Sequence, residues 1–117
     1  MENTIVRRGL SKNVERLNEL LTRIETLRDL RSEMPLQTVS VLLVIAMKPG
    51  ILQRDLPEMV NLSQSSVSRN VHALCALDSS GKPGLGLVEQ RIGTLGGRTP
   101  ALHLTKTGRE LLRRLVQ

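Results

Sequence analysis

The chain has 117 residues, a formal charge of +6 and no Phe, Tyr or Trp. That length suits one domain with a modest aliphatic core, and the missing aromatics argue against single-strand binding by base stacking. One cysteine makes no internal disulfide, no apolar run approaches the roughly 20 residues of a membrane span, and Met1-Glu2-Asn3 opens no signal-peptide pattern, so a cytoplasmic protein without membrane association is expected.

Leu10, Val14, Leu17, Leu20, Leu21, Ile24, Leu27 and Leu30 recur at three- and four-residue steps. That spacing predicts an amphipathic helix over roughly 10–31, with Ser11 as its N-cap. Pro35 opens a second helix, a position that tolerates proline. Leu36, Val39, Leu42, Leu43, Ile45 and Ala46 make it apolar on most sides, so it is expected at the buried centre, and Pro49-Gly50 ends it. Ile51-Leu52 reads as a short extended piece, followed by a short helix over 53–60. Asn61-Leu62 is a tight connection. Ser63 then stands where an N-cap belongs, ahead of a helix running to Leu77 with Val67, Val71 and Leu74 on one side.

Beyond Leu77, "DSSGKPGLG" is turn-forming. "LVEQRI" alternates with period two, as does "ALHL", and the glycine-rich "GTLGGRTP" lies between them, which predicts a hairpin. Thr105 caps a last helix with Leu111, Leu112 and Leu115 apolar. The fold class expected is mainly α with a small β-hairpin wing, a winged helix-turn-helix. Residues 1–34 form an N-terminal helical segment and 35–117 the winged domain.

The charge is uneven. From Val60 onward there are eight basic residues (Arg69, Lys82, Arg91, Arg98, Lys106, Arg109, Arg113, Arg114) against Asp78, Glu89 and Glu110. Such an excess points to an acidic partner, nucleic acid first. At about 100° per residue, Val67, Val71 and Leu74 face inward while Ser65, Ser68, Arg69 and His72 face outward. Small hydroxylated residues let a helix sit deep in a groove, and arginine can bond guanine or phosphate. A solvated face is the plainer reading of the serines. The capped turn, the inward valines and the following hairpin together favour a DNA-facing one.

Other tempting residues are set aside. Cys75, among Leu74, Ala76 and Leu77, reads as a small apolar side chain rather than a redox centre. His103 has no partner at ligand spacing, so no metal site is expected. The serines lack a nucleophile elbow and a general base, and the glycines at 81, 84 and 86 form no phosphate loop. No enzyme activity and no cofactor are expected.

"LSQSSVSRNVHAL", "GLVEQR" and "GGRTPALHLTKTGREL", in that order, resemble the multiple-antibiotic-resistance-regulator (MarR) type of winged helix repressor. The resemblance runs over roughly residues 36–112. Its pieces fall on Ser63 to Arg69, Gly86 to Glu89, Arg98, and Leu104 to Arg109. It implies a dimeric repressor of transcription on a pseudo-palindromic double-stranded operator. The residues expected on DNA are Ser63, Gln64, Ser65, Ser66, Ser68, Arg69 and His72 of the 63–77 helix in the major groove. Arg91, Arg98 and Thr99 are expected on DNA as well, with the 92–100 wing reaching the minor groove through Arg98. Two departures stand out. The wing carries Gly96-Gly97-Arg98 where the family often has Asp-Arg-Arg, and the sequence stops about one helix after the wing, where the family continues into two interface helices. A homodimer is therefore expected to rest on Leu10, Val14, Leu17, Leu20, Leu21, Ile24 and Leu27, joined by Leu111 and Leu115. The competing idea spends that whole stripe inside one monomer. No small-molecule effector is expected. Two other functions fit the same fold: a winged-helix adaptor or assembly module for protein contacts, and a replication or partition DNA-binding protein of a mobile element. The polar face opposite Val67 favours DNA.

Overall fold

The computed structural model describes residues 8–78, 80–92 and 98–117, with side chains from residue 11 onward. The chain divides into two compact units, Met1–Met34 and Pro35–Gln117. The first holds one helix, α1 (Arg8–Leu30). Ser11 is not its N-cap: Arg8, Gly9 and Leu10 extend the helix ahead of it, so no free helix end remains there to cap. Thr22 and Thr26 donate their hydroxyls to the carbonyls one turn back, those of Asn18 and Thr22, each at 2.9 Å. Arg28 pairs with Glu25 at 2.8 Å near the C-terminal end. Val14, Leu17, Leu20, Leu21, Ile24 and Leu30 are 39–64% exposed. The Leu10 side chain lies outside the described residues.

The second unit begins with Pro35 at the N-cap of α2 (Leu36–Met47), where its missing N–H costs nothing. Val41, Leu42, Val44 and Ile45 are buried, but Leu36, Leu43 and Met47 are exposed. The helix therefore buries one broad side rather than its whole circumference. Leu43 and Met47 line an open apolar cleft of about 590 Å³ with Leu112 and Val116 of the last helix. After α2 come β1 (Ile51–Leu52), a 3-10 turn (Gln53–Asp55) and α3 (Leu56–Val60), with Pro57 in its first turn. Asn61 takes the left-handed conformation (φ 54°) that its short polar side chain tolerates, and the chain swings into α4 (Gln64–Leu74).

That helix stops three residues short of the expected Leu77. Cys75 turns extended (φ −82°, ψ 179°) and Leu77 pairs with Pro83. The freed carbonyls of the last turn find donors downstream: Leu85 N–H bonds to Ala73 O, Leu87 N–H to Leu74 O and Gly86 N–H to Cys75 O, at 2.8–3.0 Å. Gly84 lies so close beneath this turn that a Cβ would sit 2.1 Å from the Cys75 oxygen.

β2 (Val88–Ile92) and β3 (Pro100–Leu104) form the antiparallel hairpin, with Val88 opposite Leu104 and Ile92 opposite Pro100. β1 adds to the other side of β3 through Ile51–Leu102 and Leu52–Ala101, giving the sheet order β1-β3-β2. The hairpin tip, including Gly96 and Gly97, lies outside the described residues. α5 (Lys106–Val116) starts at Thr105, whose Oγ1 accepts from Gly108 N–H at 3.0 Å and donates to Gly86 O at 2.7 Å. Gly108 packs directly on the Leu87 backbone. Leu111 and Leu115, expected between copies of the chain, are buried inside their own. With Leu42, Ile45, Leu56, Val67, Val71, Leu74, Leu87 and Leu102 they make a purely aliphatic core.

Candidate nucleic-acid interface

α4 is held from behind. Val67, Val71 and Leu74 are at most 1% exposed and anchor it in the core. Beside them runs a polar link that spacing alone did not reveal. Thr38 of α2 donates its hydroxyl to Asn70 Oδ1 at 2.7 Å, both residues being buried. Asn70 Nδ2 donates in turn to the Ser66 carbonyl at 2.8 Å. Ser66 also donates its hydroxyl to Gln37 Oε1 at 3.4 Å. Ser66 thus turns toward α2, and two helices are locked at one rotation by bonds whose geometry apolar contact does not supply.

The front of α4 is polar. Ser63 caps it, its Oγ accepting from Ser66 N–H at 3.1 Å and lying 3.2 Å from Ser65 Oγ. Ser65 and Arg69 are exposed, and Arg69 has no partner among the described residues. Ser68 and His72 are half-buried. His72 Nδ1 donates to the Ser68 carbonyl at 2.8 Å, which fixes the imidazole against its own helix. The helix presents uncompensated positive charge and short hydroxyl groups, with no carboxylate between Ser63 and Leu74.

The wing's base stands beside this helix. Thr99, half-buried, accepts from the backbone N–H of Arg54 at 3.3 Å, and Arg98 before it is exposed. Gln53 and Gln90 join the 3-10 turn to β2 by a 2.8 Å bond. Gln64, Ser68 and Thr99 come together around a cleft that also holds Arg54, a residue of the 3-10 turn ahead of α3 that the motif pattern passed over. Arg91 is engaged elsewhere: its Nε is 2.7 Å from Glu89 Oε2, two residues away on the same strand face. That hydrogen bond holds the Glu89 carboxyl below its ordinary range.

Cys75 caps the end of α4 rather than sitting within it, and burial pushes its thiol pKa up, away from thiolate reactivity. Among the described residues no group of three His, Cys, Asp or Glu side chains gathers to hold a metal ion. No helix among them is long and apolar enough to cross a membrane.

A capped second helix of a turn-linked pair, followed by an antiparallel hairpin in a three-stranded sheet, is the winged helix-turn-helix. No protein-family model and no curated protein matches the chain. Solved structures do. RV1404 from Mycobacterium tuberculosis aligns with TM-score 0.65 at 16% identity, over 99% of this chain and 74% of that one. The multiple antibiotic-resistance repressor (MarR) from Listeria monocytogenes aligns with TM-score 0.62 at 24% identity, over 92% of this chain and 68% of that one. The transcriptional repressor CouR, solved bound to a 23-mer DNA duplex, aligns with TM-score 0.60 at 22% identity, over 94% and 70%. The chain has the MarR-type winged-helix fold.

Proposed function

We propose that this chain is a regulator of transcription that binds double-stranded DNA in a sequence-specific way, as a homodimeric repressor. The observation that carries the reading is the front of α4: Ser65 and Arg69 exposed on a helix whose other side is fully buried, with exposed Arg98 at the neighbouring wing. In that reading α4 enters the major groove and the wing reaches the adjacent minor groove. Arg69 bonds a base edge or a phosphate, and Gln64 and Ser65 at the helix start lie nearest the bases. Arg98 suits a narrow minor groove, which attracts arginine. The fold shared with a repressor solved on a DNA duplex supports it.

Dimerisation is part of the proposal. One recognition helix makes few base contacts, and paired helices engage half-sites about one DNA turn apart. The exposed stripe of α1 supports a self-complementary contact centred on Leu17, Leu21 and Ile24.

Selection of bound fragments from random duplex DNA tests the function. Enrichment of a pseudo-palindrome with half-sites roughly 10 base pairs apart is expected. No enrichment, even at low salt, would overturn it and favour a protein-contact module.

A further inference from the structure

Two grooves of a duplex that lie side by side are separated by one sugar–phosphate strand. If α4 occupies the major groove and the wing the next minor groove, that strand must pass between α4 and the base of the wing. The inference drawn from this rests on the function proposed above.

The structure has a cleft at that place. It measures about 250 Å³ and is bounded by the 3-10 turn, α4 and the start of β3. Arg54, Gln64, Ser68 and Thr99 supply its polar wall beside Gln53, whose Oε1 already accepts from Gln90, and no carboxylate lines it. Arg54 is exposed, and its guanidinium has no partner among the described residues. Its backbone N–H, however, is fixed to Thr99 Oγ1, which ties the turn to the wing's base. Because the Thr99 hydroxyl already accepts that bond, its own proton is free to be donated outward. Gln64 offers amide N–H groups and Ser68 a hydroxyl. One cation and three neutral donors, with no anion, suit a phosphodiester, which carries one charge and accepts hydrogen bonds only.

We propose that this cleft is a backbone clamp that seats a phosphate of the strand running between the two grooves, with Arg54 as its counter-charge. It contributes affinity and register and reads no bases. The wing and the recognition helix are then held to DNA at a shared point, and Thr99 acts on the backbone rather than in the minor groove.

The test is a fluorescence-anisotropy titration of the intact protein on its selected duplex and on an unrelated duplex, over a range of salt. Arg54→Gln should weaken binding to both by a similar factor, about five- to tenfold at low salt. It should also flatten the dependence of log K on log salt by about 0.9, the value for one lost phosphate contact. Arg54→Lys should keep the slope. Thr99→Val should weaken both duplexes while leaving the slope unchanged, because it removes a donor and no charge. An unchanged slope in Arg54→Gln overturns the clamp, as does a loss confined to the selected duplex, which would make Arg54 a base reader. If those results appear while Arg69→Ala still impairs binding, the clamp falls and the DNA-binding function stands. If the wild-type protein selects no duplex, both fall.

Discussion

Replacing Thr38 with valine keeps the shape of the side chain and removes one hydroxyl. That hydroxyl donates to Asn70 Oδ1 at 2.7 Å, in a place where Thr38 is 3% and Asn70 9% exposed. Water does not replace the lost donor. Asn70 gains nothing by flipping its amide, since its Nδ2 is held by the Ser66 carbonyl at 2.8 Å and a flip would set oxygen against oxygen. The Asn70 carbonyl is left buried and unpaired, which costs about 1–3 kcal/mol. In a unit of this size each kcal/mol lowers the melting midpoint by roughly 4–8 °C. Chemical denaturation followed by far-UV circular dichroism measures the change. A double-mutant cycle with Asn70→Leu separates the bond from its setting: removing both partners should cost clearly less than the two single losses added together. If Thr38→Val alters stability by less than about 0.3 kcal/mol, or the cycle is additive, the α2–α4 link holds nothing and the reasoning fails.

Gly108→Ala should destabilise by about 1–3 kcal/mol or more, because the added Cβ would lie 2.1 Å from the Leu87 carbonyl oxygen, and backbone must move; an unchanged denaturation midpoint would contradict it. The Asp78 carboxyl is held below its ordinary range, first by the Ser80 hydroxyl donating to Oδ1 at 2.7 Å, then by the backbone N–H groups of Ser80 and Lys82. A carboxyl depressed in the folded state stabilises above its unfolded pKa, and that contribution disappears as pH falls through the folded value. Asp78→Asn should therefore lower the melting midpoint near neutral pH and converge with wild type in strong acid; parallel curves at all pH values would refute this. Leu21→Glu with Ile24→Glu should convert a dimer to a monomer by light scattering at micromolar concentration, and a monomeric wild type, or a dimer that survives both changes, would remove α1 from the interface.

Local chemistry was legible in the sequence and distant chemistry was not. Ser63 and Thr105 were recognisable as caps because an N-cap needs only a hydroxyl beside its own helix start, and both accept as expected, from Ser66 and Gly108. Val67, Val71 and Leu74 declared the buried side of α4 by spacing alone. Its end did not follow from local residues, since Leu74 is where downstream N–H groups from 85–87 reach the helix carbonyls. Asn70 likewise looks like an ordinary helix-surface residue until Thr38, 32 positions earlier, is folded against it. β1 joined the hairpin through β3, a pairing that two apolar residues cannot announce. Leu111 and Leu115 were apolar enough for an interface or a core, and only packing decided between the two. Arg54 was missed because its significance depends on Thr99, just ahead of β3 and 45 residues away.

Arg69 tests the central claim most directly. It is exposed on the front of α4, while the valines behind it keep the helix in place. The measurement is the affinity of Arg69→Ala for the duplex that the wild-type protein selects, with circular dichroism to establish that the fold is intact. A loss of about 1–3 kcal/mol, roughly 5- to 150-fold, with relaxed preference at one base pair of each half-site, is the expected result. Unchanged affinity and unchanged preference in a folded variant would contradict the reading of α4 as the recognition helix.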